Sequence, residues 1–71
     1  MKQVVASMAG TVINVLVNTG DHVQAGSDVV MLESMKMEVP VTVETTGTVA
    51  GVKVAIGDFV NEGDVLIELE G

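Results

Sequence analysis

Apolar positions along this chain fall into short β-branched runs rather than at helical spacing. Thr11-Val12-Ile13-Asn14-Val15-Leu16-Val17 and Thr48-Val49-Ala50-Gly51-Val52-Lys53-Val54 are two such runs, each bounded by turn residues, and both read as strands. Residues 29–33, 37–43 and 65–70 predict three further strands, and the stretches near 21–26 and 58–63 predict tight turns with very short strands. Gly10, Gly20, Gly26, Gly47, Gly57 and Gly63 punctuate the pattern. Pro40 has no N–H for a ladder, so it puts its strand at a sheet edge or forces a bulge. The pattern predicts an all-β chain.

The runs repeat. Sliding the chain by 37 positions sets Gly10-Thr11-Val12 on Gly47-Thr48-Val49, Gly20-Asp21 on Gly57-Asp58, Gly26 on Gly63 and Leu32-Glu33 on Leu69-Glu70. Eleven of the twenty-four positions from 10 to 33 are identical without a gap. The whole of 1–71 therefore reads as one domain built from two copies, 1–34 and 38–71, joined by a hairpin at 35–37. Units this short cannot each bury an apolar face alone, so the two are expected to interlock about a pseudo-twofold axis into a flattened β-barrel or sandwich. That symmetry places the joint and the termini at opposite poles. It also puts Lys36 at or beside the tip of a tight hairpin.

Composition narrows the functions open to such a domain. Valine supplies sixteen residues and valine, isoleucine and threonine together twenty-five of the 71, which reinforces the β reading. With no cysteine, disulfide and thiol chemistry are excluded. A domain of this size buries only about 60% of its unfolded surface, which leaves little room for an enclosed substrate pocket beside a core, so no catalytic residues and no enzymatic activity are expected. The net charge of −7 opposes nucleic-acid and anionic-membrane binding. No apolar run approaches a membrane span and residues 1–6 do not read as a signal peptide, so a cytoplasmic location is expected. The initiating methionine and the absence of linker-like composition lean toward a complete gene product.

Chemistry concentrates at the joint. A two-residue hairpin favours Asn, Asp or Gly, because a type I′ turn needs positive φ at both central positions. Met35-Lys36 is a poor local choice, and such conflicts tend to mark function. Read blandly, Lys36 is a solvated turn lysine and Met35 and Met37 are soft core fillers. Elsewhere the bland reading prevails: His22, aligned with Phe59, is a turn residue with its ring against the rim, and Lys2 and Lys53 are solvated. Asp21 and Asp58 are expected to hold two equivalent turns by side-chain hydrogen bonds to the backbone. No metal site is expected, since no Cys or second His accompanies His22 and the acidic residues lack calcium-loop spacing.

At the joint a resemblance decides between the readings. Glu33-Ser34-Met35-Lys36-Met37-Glu38 resembles the attachment motif of the biotinyl/lipoyl attachment domain family, in which a lysine between two methionines is the amide attachment point for biotin. Ala6-Ser7-Met8-Ala9-Gly10 resembles the family's Ala-Pro-Met-x-Gly start, with Ser7 in place of proline. Gly20-Asp21-His22-Val23-Gln24-Ala25-Gly26 and Gly57-Asp58-Phe59-Val60-Asn61-Glu62-Gly63 resemble its paired Gly-Asp-x-Val-x-x-Gly turns. The proline common before the second repeat's glycine is absent, Glu44 standing in that region. The gapless repeat leaves no room for the protruding thumb that some bacterial carriers insert, so the chain resembles the thumbless type, like the small stand-alone attachment proteins of bacilli.

That resemblance implies a barrel-sandwich hybrid of two four-stranded sheets, with biotin carried covalently on Lys36. Acylation needs a neutral amine, whereas a free lysine is mostly protonated near neutral pH. Activation is therefore assigned to a biotin protein ligase presenting biotinyl-adenylate, with Met35, Met37, Glu33 and Ser34 as its recognition residues. An arm of roughly 14 Å would then shuttle carboxybiotin between a biotin carboxylase and a carboxyltransferase. The domain itself is expected to be monomeric. Lipoate on the same lysine, alone or besides biotin, is the alternative implied by the shared fold, and an unmodified interaction module is the remaining one.

Overall fold

The computed structural model describes residues 2–70; Met1 and Gly71, the outer ends of the two repeat copies, lie outside the described residues. Eight strands run in order: β1 (Lys2–Val5), β2 (Gly10–Val15), β3 (His22–Val23), β4 (Asp28–Ser34), β5 (Met37–Thr42), β6 (Gly47–Val52), β7 (Phe59–Val60) and β8 (Val65–Glu70). They form two four-stranded antiparallel sheets, ordered β1-β8-β6-β3 and β5-β4-β2-β7. The two orders are the same order: adding 37 to β1, β2 and β3 carries them onto the positions of β5, β6 and β7. The fold is an all-β barrel-sandwich with pseudo-twofold symmetry.

Each sheet mixes strands from both copies, and the turns stitch the mixture together. Gly20 N–H donates to Val49 O at 2.8 Å and Val49 N–H to Asp21 O at 2.8 Å, while Gly57 N–H donates to Val12 O at 2.7 Å and Val12 N–H to Asp58 O at 2.8 Å. A second reciprocal set joins Gly26 N–H to Val43 O at 2.8 Å and Gly63 N–H to Ala6 O at 2.9 Å. Gly20, Gly26, Gly57 and Gly63 all take positive φ, between 90° and 98°, a conformation that glycine alone adopts without penalty. Asp21 and Asp58 lock their turns as expected: Asn18 N–H donates to Asp21 Oδ2 at 2.8 Å and Ala55 N–H to Asp58 Oδ2 at 2.9 Å. Ser27 and Asp64, which composition did not single out, do the same for the other two turns, accepting from Gln24 N–H at 3.3 Å and Asn61 N–H at 2.8 Å.

The core between the sheets is aliphatic, with Val12, Val29, Val30, Leu32, Leu66 and Ile67 fully inaccessible and no buried polar or charged residue among those described. Val29-Val30 and Leu66-Ile67 are consecutive yet all buried, which strict alternation forbids. Bulges resolve this, because the register slips between Asp28 and Val30 in β4 and past Leu66 in β8. Pro40 sits on β5, an edge strand, where a missing donor is tolerated.

Strand ends differ from the sequence reading in detail. β2 and β6 begin one residue before 11 and 48 and end two before 17 and 54, although Leu16 N–H still donates to Val29 O at 2.9 Å. β1 lies outside the strands that the sequence pattern predicts; it forms because Lys2 to Val5 pair along β8. Lys53 is not simply solvated: its Nζ lies 3.2 Å from Glu68 Oε1 across adjacent strands, half exposed, a placement that contributes little to stability. Leu66→Ala should destabilise the domain by about 2–5 kcal/mol, as for other cavities in close-packed cores. Ile56→Ala, at 66% exposure, should change stability by less than about 0.5 kcal/mol, both read as shifts in the urea midpoint.

Candidate functional site

β4 and β5 pair in register from Met31 opposite Pro40 up to Ser34 opposite Met37, and only Met35 and Lys36 remain to turn the chain. The hairpin loop is thus two residues, with Met37 the first residue of β5 rather than part of the turn. Met35 has φ 51° and Lys36 φ 64°, the only non-glycine residues with positive φ among those described. Each costs about 1–2 kcal/mol relative to a right-handed conformation, and positive φ at both central positions is what a type I′ turn demands. The six-position register between β4 and β5, anchored by fully buried Leu32 three residues before Met35, holds the turn in place.

The sheet beneath is drawn in closely. A Cβ built on Gly10 would stand 2.8 Å from the Glu33 carbonyl oxygen, so β2 can approach the base of the hairpin only because residue 10 is glycine. Gly47 stands in the same relation to Glu70. Neither packing role was read from the sequence, although the alignment of the two glycines in the repeat was the available signal.

Of the sequence-predicted site residues, Glu33, Ser34, Met35, Lys36 and Met37 are all brought to this one hairpin. Met35 is 92% and Met37 65% exposed, so neither is a core filler, and the bland reading of both fails. Lys36 is exposed and joins no salt bridge among the described residues. Glu33 and Glu38 stand directly opposite each other, one pair below the Ser34–Met37 pair that closes the loop. His22 lies in the other sheet, paired with Thr48 and exposed. A shallow cavity of about 250 Å³ lies between β1 and residues 42–45, lined by Lys2, Val5 and Thr42 among others and by none of the hairpin loop residues.

The arrangement offers one primary amine at the apex of a stiff protrusion, flanked by two exposed thioethers, with solvent all around. It suits covalent attachment by a large enzyme, since nothing must move aside for access to Nζ. The end of the β1–β8 pair, Lys2 opposite Leu69, is the repeat counterpart of Val39 opposite Leu32 at the hairpin base, and no turn joins those two strands.

Comparison with known proteins places this geometry. A family model described as biotin-requiring enzyme matches residues 2–69. The biotin/lipoyl attachment protein of Bacillus subtilis is 52% identical over 62 residues, covering 87% of this chain and 85% of that protein. The biotin carboxyl carrier protein of Streptococcus mutans is 44% identical over 64 residues, but the chain spans only 49% of its length. Among solved structures, urea carboxylase of Kluyveromyces lactis superposes with a TM-score of 0.92 at 29% identity, over 97% of this chain and 6% of that one.

The strained loop yields a stability test. Met35→Asn should raise the urea midpoint by the equivalent of about 0.5–1 kcal/mol, because Asn tolerates positive φ. Met35→Val should lower it by about 1 kcal/mol or more.

Proposed function

The chain belongs to the biotin/lipoyl attachment family, and from that premise we propose that it is a biotin carboxyl carrier whose covalent attachment point is Lys36. The observation that carries the assignment is the hairpin itself: the one lysine at a protruding two-residue turn, between exposed Met35 and Met37. Of the three lysines, Lys53 is paired with Glu68 and Lys2 lies within an edge strand. Only Lys36 is presented at a turn.

When bound, biotin supplies a ring nitrogen that takes up and releases a carboxyl group. Lys36 contributes the amine that, once a biotin protein ligase has taken its proton, attacks the acyl carbon of the ligase's biotinyl-adenylate, forming the amide as the acyl–phosphate bond breaks and AMP leaves. Met35 and Met37 present polarizable apolar side chains on either side of that amine for the ligase to grip, and Glu33 and Ser34 complete the segment it reads. The rigid barrel then holds the tether's root while the tether moves between a carboxylase and a carboxyltransferase, raising the effective concentration at each. Catalysis belongs to those partners. The methionine flanks favour biotin, and the name shared by the Bacillus relative keeps lipoate on the same lysine as a second reading.

Coexpression with a biotin ligase and intact-mass measurement test the assignment. Wild type should gain the mass of one biotinyl amide and Lys36→Arg none; a modified Lys36→Arg, or an unmodified wild type, would overturn it. A lipoyl mass after coexpression with a lipoate ligase would establish the second reading. Met35→Leu and Met37→Leu should leave the urea midpoint within about 0.5 kcal/mol while slowing biotinylation several-fold in a timed assay; unaltered kinetics in both would remove the methionines from recognition.

A further inference from the structure

The pseudo-twofold repeat provides an internal control. Because each backbone position in one copy has a counterpart in the other, a residue type that the fold requires should recur, and a difference between counterparts points to something else. Four outward or turn positions are more apolar on the sheet that bears Lys36, while at Val5 and Thr42, and at Val65 and Asp28, the difference runs the other way. Ile56 and Phe59 stand where the other copy has Thr19 and His22, and Leu16 and Met31 stand where the other copy has Lys53 and Glu68. The polar set serves β1-β8-β6-β3, and includes that sheet's ion pair between Lys53 and Glu68 at 3.2 Å. The apolar set serves β5-β4-β2-β7, the sheet that bears Lys36.

Ile56 and Phe59 are each 66% exposed and Leu16 45%. Thr19 and His22 occupy the same hydrogen-bonded turn and strand pairing in the other copy, so the fold itself does not call for an isoleucine or a phenylalanine there. Phe59 opposes Thr11, Thr11 opposes Glu33 and Glu33 opposes Glu38. These four side chains form one row across the outer face, an apolar end and an acidic end, just below the hairpin loop. Strand spacing and rise put Phe59 about 14 Å from the loop.

We infer that Ile56 and Phe59 form a second docking patch for the enzyme that acylates Lys36, received by an apolar socket with basic side chains at its rim facing Glu33 and Glu38. The inference rests on Lys36 being the acylated residue. An enzyme that reacts at Nζ itself must bring its active site down onto the hairpin. A standard interface of about 800 Å² per partner reaches roughly 16 Å from its centre, which takes in Phe59. Enzymes that work at the far end of a long tether need not touch this face, so the acylating enzyme is the occupant the geometry selects. The net charge of −7 supports the same pairing with a basic surface.

The test copies residues from one repeat to the other, substitutions that the backbone already accepts. In biotin ligase kinetics with wild type as the reference acceptor, the Ile56→Thr with Phe59→His variant should show a KM about tenfold higher, the loss expected when a buried apolar anchor is removed, with kcat and melting temperature little changed. Thr19→Ile with His22→Phe should leave KM within twofold. Lys36→Arg, which offers no acceptor amine, should inhibit the ligase competitively, and adding Ile56→Thr and Phe59→His should weaken that inhibition about tenfold. An unchanged KM and inhibition constant, with wild type biotinylated normally, would overturn the patch alone. Failure of wild type to be biotinylated would overturn the attachment site instead.

Discussion

The structure depends on the reciprocal hydrogen bonding between the turns of one repeat copy and the strands of the other. Neither copy can close its own barrel. The turn at Gly20-Asp21 is held by Val49 of the second copy and the turn at Gly57-Asp58 by Val12 of the first, each through a donor and an acceptor. Val12 and Val49 are at the same time fully buried or nearly so, so the contacts that fix the turns also fix the core. A small domain with a purely aliphatic interior has few other means of specifying one arrangement, and here polar specificity is supplied at the surface by backbone pairing and four side-chain turn locks. The positive-φ glycines are what allow the turns to fold tightly enough to reach across.

The hairpin is possible because that frame is stiff. Two non-glycine residues at positive φ are an expense that a lone hairpin, marginal in water, does not sustain. The β4–β5 ladder runs from the loop down into buried Leu32, and the close approach of Gly10 to the Glu33 carbonyl draws β2 against the same segment. The strain therefore sits at the apex, where the side chains meet solvent, and its restraint sits two and three residues below.

Much of this was legible in the sequence because the repeat reports on itself. The strand class, the pairing of equivalent turns and the placing of Lys36 at a hairpin all follow from eleven identities in register and the β-branched runs between them. Lys2-Gln3-Val4-Val5 does not read as a strand because only Val4 and Val5 are β-branched; its strand character comes from β8, a partner sixty or more residues away in the chain. Burial of Val29 beside Val30 could not be read from alternation, since a bulge is a property of two strands together. The Lys53–Glu68 pair likewise appears only once β6 and β8 are adjacent. The hairpin methionines stand out in the sequence for a reason of local chemistry: apolar residues at a turn that prefers Asn and Gly conflict with both backbone and solvent, and the structure leaves both exposed.

The twofold repeat also bears on why there is one lysine-bearing hairpin and not two. Pseudo-symmetry offers two equivalent ends: β4 and β5 meet at one, β8 and β1 at the other. Only the first is closed by a turn, because the chain passes between copies once. A lysine placed at the second end would have no two-residue loop to lift it from the sheet and no opposing strand covalently joined to hold it. Topology thus breaks the functional symmetry before any side chain does. Particular side chains differ as well, with thioethers at the closed end and Ile56 and Phe59 on its sheet where the counterpart sheet has Thr19 and His22. Core positions recur in both copies, Val12 with Val49, Val23 with Val60 and Leu32 with Leu69 among them, whereas only one end of the barrel is closed by a turn. A fold built on an internal repeat can keep its scaffold symmetric and still present a single hairpin lysine.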